Sequence, residues 1–348
     1  MAGSGIAQRF PVWWYRRSLA VALWPLLPLS WLFGLLAALR RGLYRCAVLP
    51  SHRLPVPVLV VGNLTVGGSG KTPLVLWLVK RLREHGWHPG IISRGYGRDG
   101  EQVLPVLPSS ACSDVGDEPL LLATRSGVPV FVGRDRVAAG QALLAAHPEC
   151  NVVVSDDGLQ HYRLQRALEL VVFDERGAGN GWLLPAGPLR EPLRRLSGVT
   201  AVVWHGSPDR RVAEAARGLL QFDMRLFGDR FVAATGAQRS CGAESLKGRK
   251  LHAIAGIGDP RRFFRQLKAL GLECEEHPFP DHHRYTHADL EFANSGAVLM
   301  TEKDAVKCAP LVSGEAWVLP VDALIGTPPG HAGLFETILE KLNGRPPA

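Results

Sequence analysis

Gly62-Asn63-Leu64-Thr65-Val66-Gly67-Gly68-Ser69-Gly70-Lys71-Thr72 is the stretch on which the reading of the fold turns. It follows an apolar run, Val58 to Val61, that reads as a buried strand, and it opens a helical pattern from Pro73 to His85 with proline in the first turn. Strand, glycine-rich loop and helix in that order form the setting of a phosphate-binding loop. Glycines let the backbone curl until its N–H groups converge on phosphate oxygens, and the helix N-terminus adds partial positive charge. Thr65, Val66, Gly67, Gly68, Ser69, Gly70, Lys71 and Thr72 are therefore expected to surround a nucleoside triphosphate. Lys71 would reach the β- and γ-phosphates, and the Thr72 hydroxyl would bind Mg2+. The common pattern G-x-x-x-x-G-K-[ST] has glycine where this chain has Thr65, so the loop is expected to start in a different shape.

Outward from the loop, short apolar runs alternate with helical stretches. Gly90 to Ser93, Val130 to Val132, Val152 to Ser155, Leu168 to Phe173 and Val199 to Trp204 read as strands, and Val137 to Ala146 as a helix between two of them. This alternation predicts an α/β fold: a P-loop NTPase-like parallel sheet covered by helices, with ligands at the carboxyl ends of its strands. A second alternation begins near Phe231, with Leu251 to Ala255, a helix from Pro260 to Leu270, Ala297 to Thr301 and Trp317 to Val321. The expected division is 1–48 for an N-terminal membrane-associated segment, 49–230 for the P-loop domain and 231–348 for a smaller α/β domain.

Phosphoryl transfer needs a metal holder and a group that orients or deprotonates the acceptor. Val152-Val153-Val154-Ser155-Asp156-Asp157 is an apolar strand ending in carboxylates, so Asp156 is placed to hold Mg2+, while Asp157, one residue on, points elsewhere or caps the next turn. Asp117, in Gly116-Asp117-Glu118-Pro119, reads by itself as a helix cap. Arg190 and Glu191 follow a Gly- and Pro-rich ordered loop from Asn180 to Pro188; they would contact phosphate and metal, or simply pair with each other. Pro280-Asp281-His282-His283-Arg284-Tyr285 favours an Asp–His acid/base pair facing the first domain over a zinc site, because adjacent histidines ligate one ion poorly. Met300-Thr301-Glu302-Lys303-Asp304 closes a strand and lacks the N-K-x-D signature of a guanine reader.

The net charge of +8 is concentrated at one end. Residues 1–53 carry seven arginines and no Asp, Glu or Lys, which leaves the rest of the chain nearly neutral. A nucleic-acid binder would spread such charge over the folded domain. Here it flanks Leu19 to Leu39, 21 residues without a formal charge. That stretch is roughly 30 Å long as a helix. Pro25 and Pro28 interrupt it, arginines stand on both sides, and Trp13, Trp14, Trp24 and Trp31 suit the headgroup level. A helix or kinked pair lying in the inner leaflet is expected rather than a full span. The six cysteines are scattered without a C-x-x-C pair, which argues against a disulfide framework and suits a reducing compartment.

Together these motifs resemble the tetraacyldisaccharide 4'-kinase family of lipid A biosynthesis. The resemblance rests on Val61 to Thr65 with Gly67 to Pro73, Ser93-Arg94-Gly95-Tyr96-Gly97-Arg98, Gly116 to Pro119 and Asp156-Asp157-Gly158-Leu159-Gln160-His161. It continues through Asn180-Gly181 to Leu189-Arg190-Glu191, Ala255-Gly256-Ile257-Gly258, Asp281-His282 and Met300 to Val306, and it includes Pro28 to Leu32. Thr65 is itself part of that family's loop. The resemblance implies transfer of the ATP γ-phosphate to the 4'-hydroxyl of a tetraacylated glucosamine disaccharide 1-phosphate, at the cytoplasmic face of a Gram-negative inner membrane. It also implies that Asp117 is the catalytic base, with His282 as its partner when the domains close. Asp156 would be the metal carboxylate, with Asp157, Arg190 and Glu191 near the phosphates. The expected partners are a lipid-linked disaccharide and a membrane surface, with no nucleic acid and no obligate protein partner. The competing reading is a membrane-associated P-loop ATPase switch acting on a protein, which shares loop, carboxylate strand and apolar segment but does not need Asp117 and His282 as a pair.

Overall fold

The computed structural model describes residues 9–16, 18–235 and 239–344. Its first half is built from strands β1 (Val58–Gly62), β2 (Pro89–Ser93), β3 (Leu104–Pro105), β4 (Val130–Val132), β5 (Val152–Asp156), β6 (Leu168–Asp174), β7 (Ala201–His205) and β8 (Leu220–Phe227). Then come β9 (Arg230–Ala233), β10 (Ser240–Gly242), β11 (Leu251–Ala255), β12 (Glu275–Pro278), β13 (Ala297–Thr301), β14 (Ala316–Leu319) and β15 (Asp322–Ile325). Among the described residues these form two sheets, ordered β15-β8-β7-β6-β1-β5-β2-β4-β3 and β10-β9-β14-β13-β11-β12.

In the larger sheet β1 lies between β5 and β6, parallel to both. Every residue of β1, β2, β5, β6 and β7 is buried, as expected when helices cover both faces. Side chains alternate between two cores. Leu59 and Val61 join Leu74, Leu78 and Ile91 on one face, while Val58 and Val60 join Ile92, Leu143 and Val171 on the other. Putting the apolar residues of β1 into both cores fixes its register, and with it the point where the loop leaves the sheet.

The chain returns to this sheet at its end, which corrects the expected division at residue 231. The second sheet ends at Leu319, whereas β15 pairs antiparallel with β8 at the edge of the first sheet. The C-terminal helix (Leu334–Asn343) buries Leu334, Phe335, Ile338 and Leu342 in the first core. Residues from 322 onward thus belong with the P-loop domain. Strand β8 was not anticipated either, although its buried Phe222 and Met224 alternate with exposed Asp223 and Arg225.

The N-terminal segment forms α1 (Arg9–Trp14), a 3-10 turn (Val21–Leu26) that contains Pro25, and α2 (Leu27–Arg45) with Pro28 in its first turn. The prolines therefore separate two helical pieces and do not break α2. One side of this pair docks on the Gly/Pro-rich loop. Leu23 is fully buried, the Ser30 hydroxyl donates to the Leu183 carbonyl at 2.8 Å, and a Cβ at Gly34 would meet Leu183 Cδ1 at 2.7 Å. The other side leaves Leu32, Leu35, Leu36 and Leu39 facing outward, with Leu35 64% exposed.

Because Ile338 is fully buried in the first core, Ile338→Ala is expected to cost about 2–5 kcal/mol of stability in denaturant unfolding. A loss below about 0.5 kcal/mol, the level of an ordinary surface substitution, would place the C-terminal helix outside that core.

Candidate active site

Gly67 and Gly70 carry the backbone through φ values of +95° and +93°, a region open to glycine at little cost. Gly70 precedes helix α3 (Lys71–Glu84), which starts two residues earlier than expected, so Pro73 sits in its first turn. Thr65 departs from the common pattern for a visible reason. It forms an antiparallel bridge with Leu189, flanked by Val66 N–H donating to the Pro188 carbonyl at 2.9 Å and Arg190 N–H donating to the Leu64 carbonyl at 2.7 Å. The loop therefore starts extended along the 180–190 segment, where no positive φ is required.

Lys71 is buried, with Nζ 3.8 Å from Asp157 Oδ1. Asp156 ends β5 and is 1% exposed. Its Oδ2 accepts from the Ser93 hydroxyl at 3.1 Å, while its buried Oδ1 has no hydrogen-bond partner among the described residues. Burial, reinforced by the nearby Glu118 carboxylate, pushes Asp156 up to about 7. Asp157 behaves oppositely. The backbone turns there to φ +48°, and its carboxylate accepts from Arg190 Nη1 at 3.0 and 3.1 Å. Burial alone would raise it, but Lys71 and Arg190 hold it down to about 2.

Asp117 is not the cap that its sequence suggests. Gly116, with φ +91°, caps helix α4 (Asp117–Ser126), and Asp117 is its first residue, only 4% exposed. The carboxylate faces the second domain, where His282 Nδ1 lies 2.9 and 3.1 Å from its two oxygens. His282 adopts φ +60°, and its ring tilts against Tyr96 with centroids 4.9 Å apart. Lys303 and Lys307 each bring Nζ to 3.9 Å of Asp117. Burial works to raise the Asp117 carboxyl, but His282 and the two lysines together draw it below the usual carboxylate range. Lys303 also pairs with Glu118 at 3.1 Å and Asp281 at 3.0 Å, so it ties the domains together at this point.

Glu191 lies apart from this group. It is buried, accepts from the Tyr162 hydroxyl and stands 3.9 Å from Arg195 Nε, itself bonded to Glu169. Two residues that the sequence reading passed over are in the site. Arg176 donates to the Gly68 carbonyl at 2.5 Å, the Gly258 carbonyl at 3.3 Å and Asp174 at 2.6 Å. His205, at the end of β7, packs against the loop so closely that a Cβ at Gly70 would lie 2.6 Å from its Nδ1. Burial, with the Arg262 guanidinium beside it, pushes His205 down to about 4, so its imidazole is neutral. Only their positions at strand ends could have signalled either residue.

A cavity of about 170 Å3 lies between the domains. Gly68 to Thr72, Glu118 and Lys303 line it together with Leu76, Leu121, Leu226, Phe263 and Leu319.

Comparison with known proteins places the chain in a family. The sequence model described as Tetraacyldisaccharide-1-P 4'-kinase matches residues 22–343. The tetraacyldisaccharide 4'-kinase of Dechloromonas aromatica (strain RCB) is 57% identical over 334 residues, 96% of each chain. That of Azoarcus sp. (strain BH72) is 56% identical over 348 residues, 100% of this chain and 99% of the relative. Among solved structures, LpxK from Aquifex aeolicus in complex with ATP is similar with a TM-score of 0.77 and 30% identity, covering 92% of this chain and 100% of that one. With matches that run nearly end to end, this chain belongs to the tetraacyldisaccharide-1-P 4'-kinase family.

Proposed function

We infer that this protein transfers the γ-phosphate of ATP to the 4'-hydroxyl of a tetraacyldisaccharide 1-phosphate in lipid A biosynthesis. The observation that carries the reading, beyond family membership, is the buried Asp117 carboxylate held by His282 from the other domain. A switch ATPase has no use for such a pair, whereas a sugar hydroxyl needs a proton acceptor as it attacks phosphorus. In the transfer, the 4'-oxygen forms a bond to the γ-phosphorus as the bond to the β-bridging oxygen breaks, and ADP leaves. The hydroxyl proton passes to Asp117. A carboxyl with a depressed pKa is a weak base, so it takes the proton as the new P–O bond forms and the hydroxyl becomes acidic. His282 orients the carboxylate.

The loop N–H groups and Lys71 bind the β- and γ-phosphates in this reading. Asp157 holds the Lys71 ammonium and the Arg190 guanidinium beside each other, two cations suited to phosphate oxygens. Mg2+ fits the site, because the unpartnered, buried Oδ1 of Asp156 is a hard oxygen donor. Thr72 and Asp156 would hold the ion, which when bound neutralises charge on the transferring phosphate. Glu191 is assigned no phosphate contact, since its bonds go to Tyr162, Gln160 and Arg195.

The outward stripe of α2 supports association with the cytoplasmic face of the inner membrane. Val21–Arg45 is apolar and long enough to cross a bilayer, yet one side is committed to the Leu183 loop. A helix lying in one leaflet accounts for both facts, and it sets the active site near an acceptor whose acyl chains remain in lipid.

The deciding experiment supplies γ-labelled ATP with the lipid disaccharide. Label should appear on the 4'-position, with little hydrolysis when lipid is omitted; brisk hydrolysis stimulated by a protein would favour the switch. Lys71→Ala and Asp117→Ala should each lower kcat at least about 100-fold. Gly70→Ala forces an L-residue to φ +93° against His205, a strain of about 1–3 kcal/mol. It is expected to weaken ATP about 5- to 150-fold in equilibrium binding. Replacing Leu32, Leu35 and Leu39 together by Ser should lower vesicle binding at least about 10-fold and raise apparent KM more than it lowers kcat.

A further inference from the structure

Away from the nucleotide, the second sheet gathers two imidazoles and a carboxylate at its outer edge. Strands β11 and β12 are parallel, with His252 opposite Glu275 and Ile254 opposite His277. Side chains of one strand alternate between faces, so Glu275 and His277 share the face that His252 occupies. His252 Nδ1 lies 3.1 Å from His277 Nε2 and 3.4 Å from Glu275 Oε2, and His277 Nε2 lies 3.8 Å from Glu275 Oε1. Among the described residues this is the one such group of potential metal ligands. Ligands at zinc–nitrogen distances stand about 3.3 Å apart along a tetrahedral edge, so the spacing already approximates three corners.

The surroundings orient the lone pairs as a metal site requires. The Ser295 hydroxyl donates its single proton to the Phe292 carbonyl at 2.9 Å, and it accepts from Lys250 Nζ at 2.9 Å. His252 Nε2, 3.0 Å from the same oxygen, is left as the donor. That fixes the tautomer with Nδ1 unprotonated and aimed at His277 and Glu275. The Phe292 ring stacks on His277, with centroids 3.8 Å apart at an angle of 3°, and holds that imidazole in place. His252 is buried, while Glu275 on the edge strand is 63% exposed, so the fourth corner opens to water.

We propose that His252, His277 and Glu275 bind a borderline divalent cation of the zinc class, with water as the fourth ligand. Two imidazoles and one carboxylate suit zinc, whereas Mg2+ prefers an all-oxygen set and is served elsewhere. The position has a consequence for the active site. Strand β12 runs directly through Phe279 and Pro280 into Asp281 and His282. An ion clamping β12 to β11 steadies the segment that carries His282 to Asp117.

The test uses untagged full-length protein stripped with a chelator and then titrated with zinc against a chromophoric competitor. One zinc per chain is expected at micromolar free metal, with the visible bands of a tetrahedral site when Co2+ replaces it, and a thermal midpoint that rises with zinc. Glu275 is exposed, so Glu275→Gln leaves the fold intact; it should weaken zinc at least about 100-fold and abolish the midpoint rise. Ser295→Ala, which frees the His252 tautomer, should weaken zinc about 10-fold. Binding below one zinc per chain, or a Glu275→Gln protein that binds zinc like the parent, overturns the proposal and leaves a plain His252–His277 hydrogen bond.

Discussion

Two adjacent carboxylates must be held at the end of a fully buried strand, and the architecture of the site is organised around that constraint. On a continued extended backbone the two carboxylates would point to opposite faces of the sheet. The backbone instead leaves the strand in a left-handed turn at Asp157, with φ +48°. Asp157 reaches the two cations, Lys71 and Arg190, which keep it ionised, whereas Asp156 stays among apolar strands with one oxygen unpartnered. In the function proposed above, one carboxylate organises the positive charges that meet a phosphate, and the other is left for a cation. The start of the loop and the 180–190 segment are fastened to each other by backbone hydrogen bonds.

The two domains meet through polar groups at the mouth of the cavity. Lys303 joins Glu118 to Asp281, Arg176 joins Gly68 to Gly258, and His282 meets Asp117. Contacts of this kind are directional and exchange readily with water, unlike an apolar seam, and interfaces built from them suit domains that move relative to each other. The N-terminal pair is attached differently, by Leu23, Ser30 and Gly34 on the 180–188 loop and by the Tyr15 hydroxyl donating to the Val66 carbonyl at 3.0 Å. The N-terminal segment thus touches the phosphate-binding loop itself.

Much of this was legible in the residue order. The loop, the carboxylate strand and the α/β alternation are local patterns, set by glycine geometry, periodicity and strand length, and their element limits agree with the structure to within a residue or two at most positions. The exposed stripe of α2 was legible for the same reason, as an uncharged run bounded by arginines. The sites that were missed are those assembled from distant segments. Arg176 and His205 carry no motif, and each gains its role only because parallel strands bring their carboxyl ends to one edge.

Local chemistry along the chain therefore determined the glycine-rich loop, the strand-end carboxylates, the kind of sheet and the apolar N-terminal stretch, because each depends on neighbours a few residues apart. Only the tertiary structure decided that Asp117 faces His282 rather than capping its helix, that Glu191 turns away to Tyr162, and that the last residues return to the first sheet. Those outcomes depend on which faces bury together across 29 residues for Tyr162 and Glu191 and 165 for Asp117 and His282, a long-range packing choice that no local pattern encodes.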